Sequence, residues 1–194
     1  MYERLKANLN RHIKLDDEAF DLLRKNLVAK TYKKDSHLIQ SGHICKYTYF
    51  VHKGLLRLYD INEKGLEKNT LFAIEEWWVS DLYSFHSQKP GNYFLQALED
   101  TEVLQLSKHA MENLLLQIPK LERFFRILHI NAFIAQQERV MHMISKTAEE
   151  RYRDLIQKYP DAEQRIPQKQ IASYLGITPE FLSRMKANLR DAPR

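Results

Sequence analysis

Residues 168–186 constrain the fold of this chain more than any other stretch, because they specify two short helices joined by a tight turn. Ile171 and Leu175 are four residues apart and therefore share one face of the first helix. Gly176 follows where a helix commonly ends in the left-handed conformation, which glycine adopts without steric cost. The spacing predicts a helix-turn-helix hairpin.

The second helix of this hairpin begins with a strong start signal. Thr178 can cap the helix and Pro179 suits its first position. Leu182 and Met185, three residues apart, then face the first helix. In proteins that bind DNA with this motif, the second helix enters the major groove. We predict DNA contacts from the outward positions, which are Gln168, Lys169, Thr178, Pro179, Glu180, Ser183, Arg184 and Lys186. An ordinary helical hairpin is the alternative.

Positive charge is concentrated in the part of the chain that contains the hairpin. Residues 1–138 hold 19 basic and 18 acidic side chains, whereas residues 139–194 hold 11 basic and 7 acidic ones. The second part therefore carries most of the net charge of +5. An excess of lysine and arginine favours a polyanionic partner, and with this hairpin the partner we expect is double-stranded DNA.

The composition is that of a folded protein and excludes several kinds of site. The chain has 194 residues, of which 44% are hydrophobic, enough for one large domain or two smaller ones. No apolar run is long enough to span a membrane, and the first residues lack the apolar core of a signal peptide, so we expect a cytoplasmic protein without a membrane partner. Cys45 is the only cysteine, which excludes a disulfide framework or a four-cysteine iron–sulfur cluster within one chain.

Two helices and a set of short strands are predicted ahead of the hairpin. Apolar residues at helical spacing within residues 1–30, as far as Leu27, predict the two helices. From Thr31 to about Leu106 the spacing changes to short β-branched and aromatic runs, with a hairpin loop at residues 61–65. Such regularly spaced strands indicate an antiparallel barrel or sandwich. The predicted strands include residues 49–52, 55–59, 67–74, 93–98 and 102–106.

One long helix is predicted after Pro119. Leu121, Phe124 and Leu128 begin a pattern of three-and-four spacing that meets no proline before Pro160. The apolar surface extends nearly all round this helix, so it must be covered on two sides. The barrel can cover one side and a second copy of the chain the other. A central core helix in a monomer is the alternative.

The order of a small β-barrel, a long apolar helix and a helix-turn-helix resembles the cyclic-AMP receptor protein (Crp–Fnr) family of bacterial transcription regulators. The resemblance is carried by Gly42, residues 49–57, residues 97–104, residues 171–176 and Ser183-Arg184. It implies an α+β fold, with an N-terminal antiparallel β-roll and its helices in residues 1–118, a dimerisation helix in residues 119–146 and a helix-turn-helix domain in residues 147–194. It also implies a homodimeric, DNA-binding regulator.

The resemblance assigns roles to two residues of the second hairpin helix. Glu180 and Arg184 match the base-reading positions of the family. An arginine can donate two hydrogen bonds to a guanine edge, and a carboxylate can accept one from a cytosine amine. Pro179 stands where the family usually has an arginine, so we expect one base or phosphate contact to be missing. The β-hairpin wing of many members is not expected either, since the sequence stops at Arg194.

The resemblance also predicts a degenerate ligand site. Members that bind cyclic nucleotides carry Gly-Glu near the start of a phosphate-binding segment and Arg-Ser-Ala or Arg-Thr-Ala near its end. The first pair falls on Ser80 and Asp81, and the later positions fall on Gly91, Asn92 and Tyr93. No cation replaces the arginine that would neutralise the phosphate, so we predict that cyclic AMP is not a tight ligand. Ser80, Asp81, Asn92 and Tyr93 remain candidates for the pocket of an unknown small-molecule effector.

An enzyme and an interaction module are the competing functions. The sequence has no phosphate-cradling Gly-rich loop and no nucleophile elbow, so we predict no enzymatic activity. Its histidines lack the spacing of a helical metal site, and we predict no metal or cofactor. An interaction module whose hairpin only packs on the barrel is the remaining alternative. The aromatic residues Trp78, Tyr83, Phe85, Tyr93 and Phe94 either belong to the barrel core or line an apolar pocket.

Overall fold

The computed structural model describes residues 1–191, so the last three residues of the predicted C-terminal domain, 192–194, lie outside the described residues. The elements up to residue 107 are α1 (Tyr2–Asn10), α2 (Asp17–Lys25), β1 (Leu27–Tyr32), β2 (His37–Ile39), β3 (Tyr47–Lys53), β4 (Leu56–Ile61), β5 (Glu67–Ala73), β6 (Trp78–Val79), α3 (Leu82–Ser87), β7 (Phe94–Ala97) and β8 (Thr101–Ser107). They are followed by α4 (Lys108–Gln117), α5 (Pro119–Ser145), α6 (Ala148–Lys158), α7 (Ala162–Arg165), α8 (Gln168–Leu175) and α9 (Pro179–Asp191).

The strands form two antiparallel sheets that enclose the main hydrophobic core. One sheet has the order β1-β8-β3-β6 and the other β2-β7-β4-β5. Phe50, Leu95 and Leu104 are fully buried between them. Together with the long helix α5 and the hairpin α8–α9, this roll confirms the predicted α+β class and its architecture.

The N-terminal helices end earlier than the sequence pattern predicts. Asp16 caps α2, and its carboxylate accepts a hydrogen bond from the Ala19 amide at 2.8 Å. The prediction that Leu27 belongs to this helix is wrong, because Leu27 opens β1 and pairs with Leu106 of β8. A buried leucine satisfies either spacing, and only pairing with a distant strand decides between them. The short helices α3, α4 and α7 and the strands β1, β2 and β6 are elements that the sequence pattern did not specify.

The two halves of α5 have different surroundings. Leu121, Phe124 and Phe125 are buried, and the Phe125 ring packs edge-on against Trp78 with 5.4 Å between centroids. Further along the helix, Ile144 is 76% exposed. The other large apolar side chains exposed on this half are Ile130, Phe133, Ile134, Val140, Met141 and Met143. A core helix in a monomer would bury them, so the structure disfavours that alternative.

A second, smaller core lies between the roll and the C-terminal helices. The roll contributes Leu55 and Phe72, and the hairpin contributes residues that include Ile171 and Leu182. Tyr159, just after α6, donates a hydrogen bond from its hydroxyl to the carbonyl oxygen of Phe72 at 3.0 Å. The hairpin therefore packs on the second sheet, beside β5.

Candidate nucleic-acid interface

The turn between α8 and α9 has the geometry that the spacing predicts. Gly176 adopts the left-handed conformation with φ +72°, and a Cβ there would lie 2.9 Å from the Met143 methyl group. The hydroxyl oxygen of Thr178 accepts a hydrogen bond from the Phe181 amide at 3.2 Å, which caps α9. Leu182 is fully buried against α8. The two helices are thereby fixed as one rigid hairpin.

Most of the predicted DNA contacts share one exposed surface. Thr178, Pro179, Glu180, Ser183 and Arg184 are exposed on α9 or at its start. Hydrogen bonds from the backbone of Glu180 itself and from Thr178 lower the pKa of the Glu180 carboxyl, and Arg184 lowers it further. The start of α9 therefore presents an ionised acceptor one helical turn from a guanidinium donor. At the start of α8, Gln168 and Lys169 are exposed as well.

Lys186 has different surroundings from the other predicted contacts. Its ammonium group forms an ion pair with Glu163 of α7, and its side chain is only 20% exposed. The Tyr152 hydroxyl donates a hydrogen bond to the same carboxylate at 2.5 Å. Lys186 thus ties α9 to α7 and does not share the surface that carries Arg184.

Two arginines that no sequence motif marks hold the hairpin region against the roll. Arg165 of α7 binds Glu75 at 2.9 Å and Glu99 at 2.6 Å, and its hydrogen bond to Glu99 is the main reason that its pKa is raised. Arg139 of α5 donates to the carbonyl oxygen of Asn69 in β5 at 3.0 Å. These partners lie far apart in the chain, so no local spacing could have revealed them.

Asp81 and Gly91, which the sequence places at the predicted phosphate-binding segment, lie directly against each other. Asp81 is 2% exposed, and its Oδ1 caps α3 by accepting a hydrogen bond from the Ser84 amide at 3.1 Å. Its Oδ2 has no hydrogen-bond partner among the described residues. A Cβ on Gly91 would lie 1.9 Å from that oxygen, so an arginine does not fit at position 91 in this arrangement.

The other candidates for the effector pocket are spread over different surroundings. Ser80 is buried, Asn92 is exposed and Tyr93 is half-buried. Among the aromatic candidates, Tyr83 is 63% exposed, whereas Trp78 packs on Phe50 at the first sheet with 5.4 Å between centroids. Phe85 is 1% exposed and belongs to the main core, against which Trp78 and Tyr93 pack, whereas Tyr83 belongs neither to the core nor to an enclosed pocket.

Within residues 1–191, no group of three or more histidine, cysteine, aspartate or glutamate side chains could hold a metal ion. Among the described residues, no helix combines the length and hydropathy that crossing a membrane requires.

Known proteins match both the roll and the whole architecture. The family model for the cyclic nucleotide-binding domain matches residues 29–117. Electron transport regulator A of Shewanella oneidensis is 27% identical over 183 residues, which cover 87% of this chain and 70% of that protein. The fumarate and nitrate reduction regulatory protein of Vibrio cholerae is 28% identical over 171 residues, covering 80% of this chain and 66% of that protein. The chain thus spans about two thirds of these relatives' length.

A solved structure extends the match to the helices that follow the roll. A transcriptional regulator of the Crp/Fnr family from Eubacterium rectale has a TM-score of 0.73 at 16% identity, covering 91% of this chain and 84% of that one. The chain is thus similar to regulators of the Crp–Fnr family over most of its length. The family model spans β1 to α4, and the hairpin lies beyond it. The relatives are regulators rather than enzymes, which agrees with the prediction of a non-enzymatic protein.

Proposed function

We propose that this protein is a homodimeric transcription regulator of the Crp–Fnr family that recognises a specific double-stranded DNA sequence through α9. The supporting observation is the exposed pair Glu180 and Arg184, on a helix whose opposite face is fixed by the buried Leu182 and Met185. Arg184 can donate two parallel hydrogen bonds to a guanine, and Glu180 can accept one from a cytosine. A rigid helix that presents both groups to solvent suits a major groove.

In this proposal α5 forms the dimer interface. Phe133 is 64% exposed and Ile144 is 76% exposed, on a helix half whose large apolar side chains are mostly uncovered in the single chain. A contiguous apolar surface of this kind marks an interaction site, and a second α5 would cover it symmetrically. Two α9 helices would then face half-sites about 34 Å apart. Residues 1–118, 119–146 and 147–194 become the sensor, dimerisation and DNA-binding segments of a cytoplasmic regulator.

We further propose that the roll does not bind cyclic AMP tightly and that any effector has another chemistry. The steric support is that Asp81 leaves no room for a side chain at position 91, where an arginine would be needed. The electrostatic support is that the Oδ2 atom of Asp81 has no hydrogen-bond partner among the described residues. An anionic phosphate next to this carboxylate would be repelled. Calorimetric titration of the intact protein with cyclic AMP should show no binding at micromolar concentration. A micromolar or tighter dissociation constant would contradict the proposal.

Arg184→Ala tests the DNA-reading role. Duplexes selected from a randomised pool by the wild-type protein supply the operator sequence. The variant should bind it more weakly by about 1–3 kcal/mol and lose discrimination at one base position. Arg24→Ala is a matched control, since Arg24 is a half-exposed arginine that pairs with Asp21 of the same helix, α2. An equal loss of affinity for every duplex would make Arg184 a phosphate contact instead.

An interaction module without DNA binding is the second candidate, and the packing of α8 on the roll is the observation in its favour. Salt dependence separates the two functions. The affinity of a DNA-binding hairpin should fall steeply as the salt concentration rises, because phosphate contacts release counterions. If the wild-type protein bound no duplex even at low salt, DNA recognition would be wrong and the interaction module would stand.

A further inference from the structure

The first helix of the hairpin covers an open edge of the roll. β5 is the last strand of its sheet, so one row of its backbone groups has no neighbouring strand. Ser173 of α8 fills this place: its hydroxyl accepts from the Asn69 amide at 3.1 Å and donates to the Glu67 carbonyl at 2.7 Å. One side-chain hydroxyl thus satisfies two of the backbone groups that a neighbouring strand would otherwise pair.

A buried arginine lies directly beneath this contact. Arg57 of β4 is only 4% exposed. Its Nη1 donates to the Glu67 carboxylate at 2.6 Å and to the side-chain oxygen of Gln170 in α8, also at 2.6 Å. Gln170 is itself 7% exposed. Its side-chain oxygen accepts a second hydrogen bond, at 2.7 Å, from the side-chain amide nitrogen (Nδ2) of Asn69. One guanidinium thus joins the sheet to the DNA-binding hairpin.

The same guanidinium is also tied to the middle of the roll. Its Nε donates to the side-chain oxygen of Gln96 in β7 at 2.8 Å. Its face lies 3.9 Å from the ring centroid of Tyr59, which stacks on Phe94 of β7 at 5.1 Å. A displacement of β7 would therefore move Arg57, and through it the acceptor on α8.

These contacts have a physical consequence that apolar packing lacks. A buried charge is tolerated only while its hydrogen bonds are complete, so losing one partner is costly. The directional N–H groups of arginine also fix the angles between their acceptors. Arg57 thereby adds a directional link to the apolar packing that holds α8 on the roll.

We infer that Arg57 is a positioning residue, through which the β-roll determines where the helix-turn-helix sits. The inference rests on the proposed DNA-binding function for its biological meaning, but not for its structural test. Arg57 is not expected to touch DNA; it acts on DNA recognition through Gln170.

Hydrogen exchange of the free, full-length protein tests this assignment without DNA. In Arg57→Met, the amides of α8 should exchange about tenfold faster or more, the factor expected from losing a hydrogen bond to a charged group. The amides of β3 and β8 should keep their wild-type rates. Lys68→Met, which removes an exposed cation from the same edge strand, is the matched control and should leave α8 unchanged.

A double-mutant cycle shows whether Arg57 acts through Gln170. Gln170→Met removes the link from the helix side and should accelerate α8 exchange similarly, and the double variant should add little to either single one. Arg57→Lys keeps the charge but offers one nitrogen in place of the separate Nε and Nη1 donors that reach Gln96 on one side and Glu67 and Gln170 on the other, so it should not restore slow exchange.

The contrary outcomes are distinct. Unchanged α8 exchange in Gln170→Met, or fully additive effects, would overturn the assignment. Uniformly faster exchange of the whole roll in Arg57→Met would also overturn it, since Arg57 would then be a general structural residue. Failure of the proposed function looks different: the wild-type protein would bind no DNA, whatever its exchange pattern.

Discussion

The two hydrophobic cores of this protein are closed in different ways. The larger core, inside the roll, is sealed by aromatic packing in which Phe124 contacts Trp78 and Phe125 at centroid distances of 6.3 and 5.3 Å. The smaller core, beneath the hairpin, also contains buried leucine and isoleucine, but polar groups join its two sides. Arg57, Arg139 and Arg165 are cations of that polar boundary.

The difference indicates which part of the molecule can move. Apolar packing loses free energy gradually with lost area and has no directional preference. A boundary of hydrogen bonds and ion pairs has discrete arrangements and responds to charge, salt and pH. We therefore expect the roll to unfold as a unit and the hairpin to detach from it first.

The largest effect is expected from the core of the roll. Phe124→Ala should lower the free energy of unfolding by about 3–5 kcal/mol, because it leaves a cavity among packed rings. Urea denaturation followed by tryptophan fluorescence measures the change. Tyr83→Ala, at a largely exposed aromatic residue, should cost less than about 0.5 kcal/mol. If Phe124→Ala lowered the free energy of unfolding by less than about 1 kcal/mol, aromatic packing would not be what closes the larger core.

A comparable truncation in the smaller core should act locally. Leu182 is fully buried in the smaller core, on the side of the hairpin. Leu182→Ala should therefore lower the stability of the hairpin by about 2–5 kcal/mol. DNA binding and the exchange protection of α8 and α9 should be lost, while the roll keeps its urea midpoint. The neighbouring Phe181→Ala, at a side chain that is 45% exposed, serves as the control. Simultaneous unfolding of the roll would show that the two cores are one.

Removing the ion pairs at the boundary should have a smaller effect that depends on salt. Arg165→Leu leaves Glu75 and Glu99 without their shared cation and should weaken hairpin docking by about 1 kcal/mol, since the site is partly exposed. Added salt should weaken docking in the wild-type protein and have little effect in the variant. Arg153→Leu, which breaks an exposed pair with Glu149, is the control. A salt response that survives in Arg165→Leu would contradict this account.

The smallest expected effect is a response to acid. The hydrogen bond from Arg57 is the main reason that the pKa of Glu67 lies below its ordinary value of 4.5. A lowered pKa means that the stabilisation is present above pH 4.5 and is lost as the pH falls through the folded-state value. The NMR signal of the Gln170 side-chain amide should therefore stay constant from pH 7 to 5 and shift below about pH 4.5. Glu67→Gln should abolish much of that shift; an unaltered shift would assign it to another group.

The hairpin was predictable from sequence because its determinants are local. Ile171, Gly176, Thr178 and Leu182 act within a few residues of one another, through helical spacing, a left-handed turn and a cap. The structure reproduces each of these features. The roll was predictable as a class for a similar reason, although Leu27 shows that a buried residue at a boundary fits a helix or a strand equally well.

The boundary between the cores was not predictable in this way. Arg57 meets Gln170 across 113 positions of sequence, and Arg165 meets Glu75 across 90. Helical spacing alone predicts that Lys186 lies near the outer face of α9. In the structure it forms an ion pair with Glu163 of α7, a helix that the sequence pattern did not predict. Charged side chains follow no period when their partners come from another segment, so only the folded chain reveals these contacts.

The burial of Phe124 and Phe125 in the roll has a consequence for recombination between relatives. These two residues belong to the long helix by sequence but to the roll by packing. A chimera that joins this roll to the long helix of a related protein at Pro119 would exchange part of the roll's own interior. A junction after Phe125 would keep that interior intact, and it would still require the donor's first hairpin helix to offer an acceptor for Arg57.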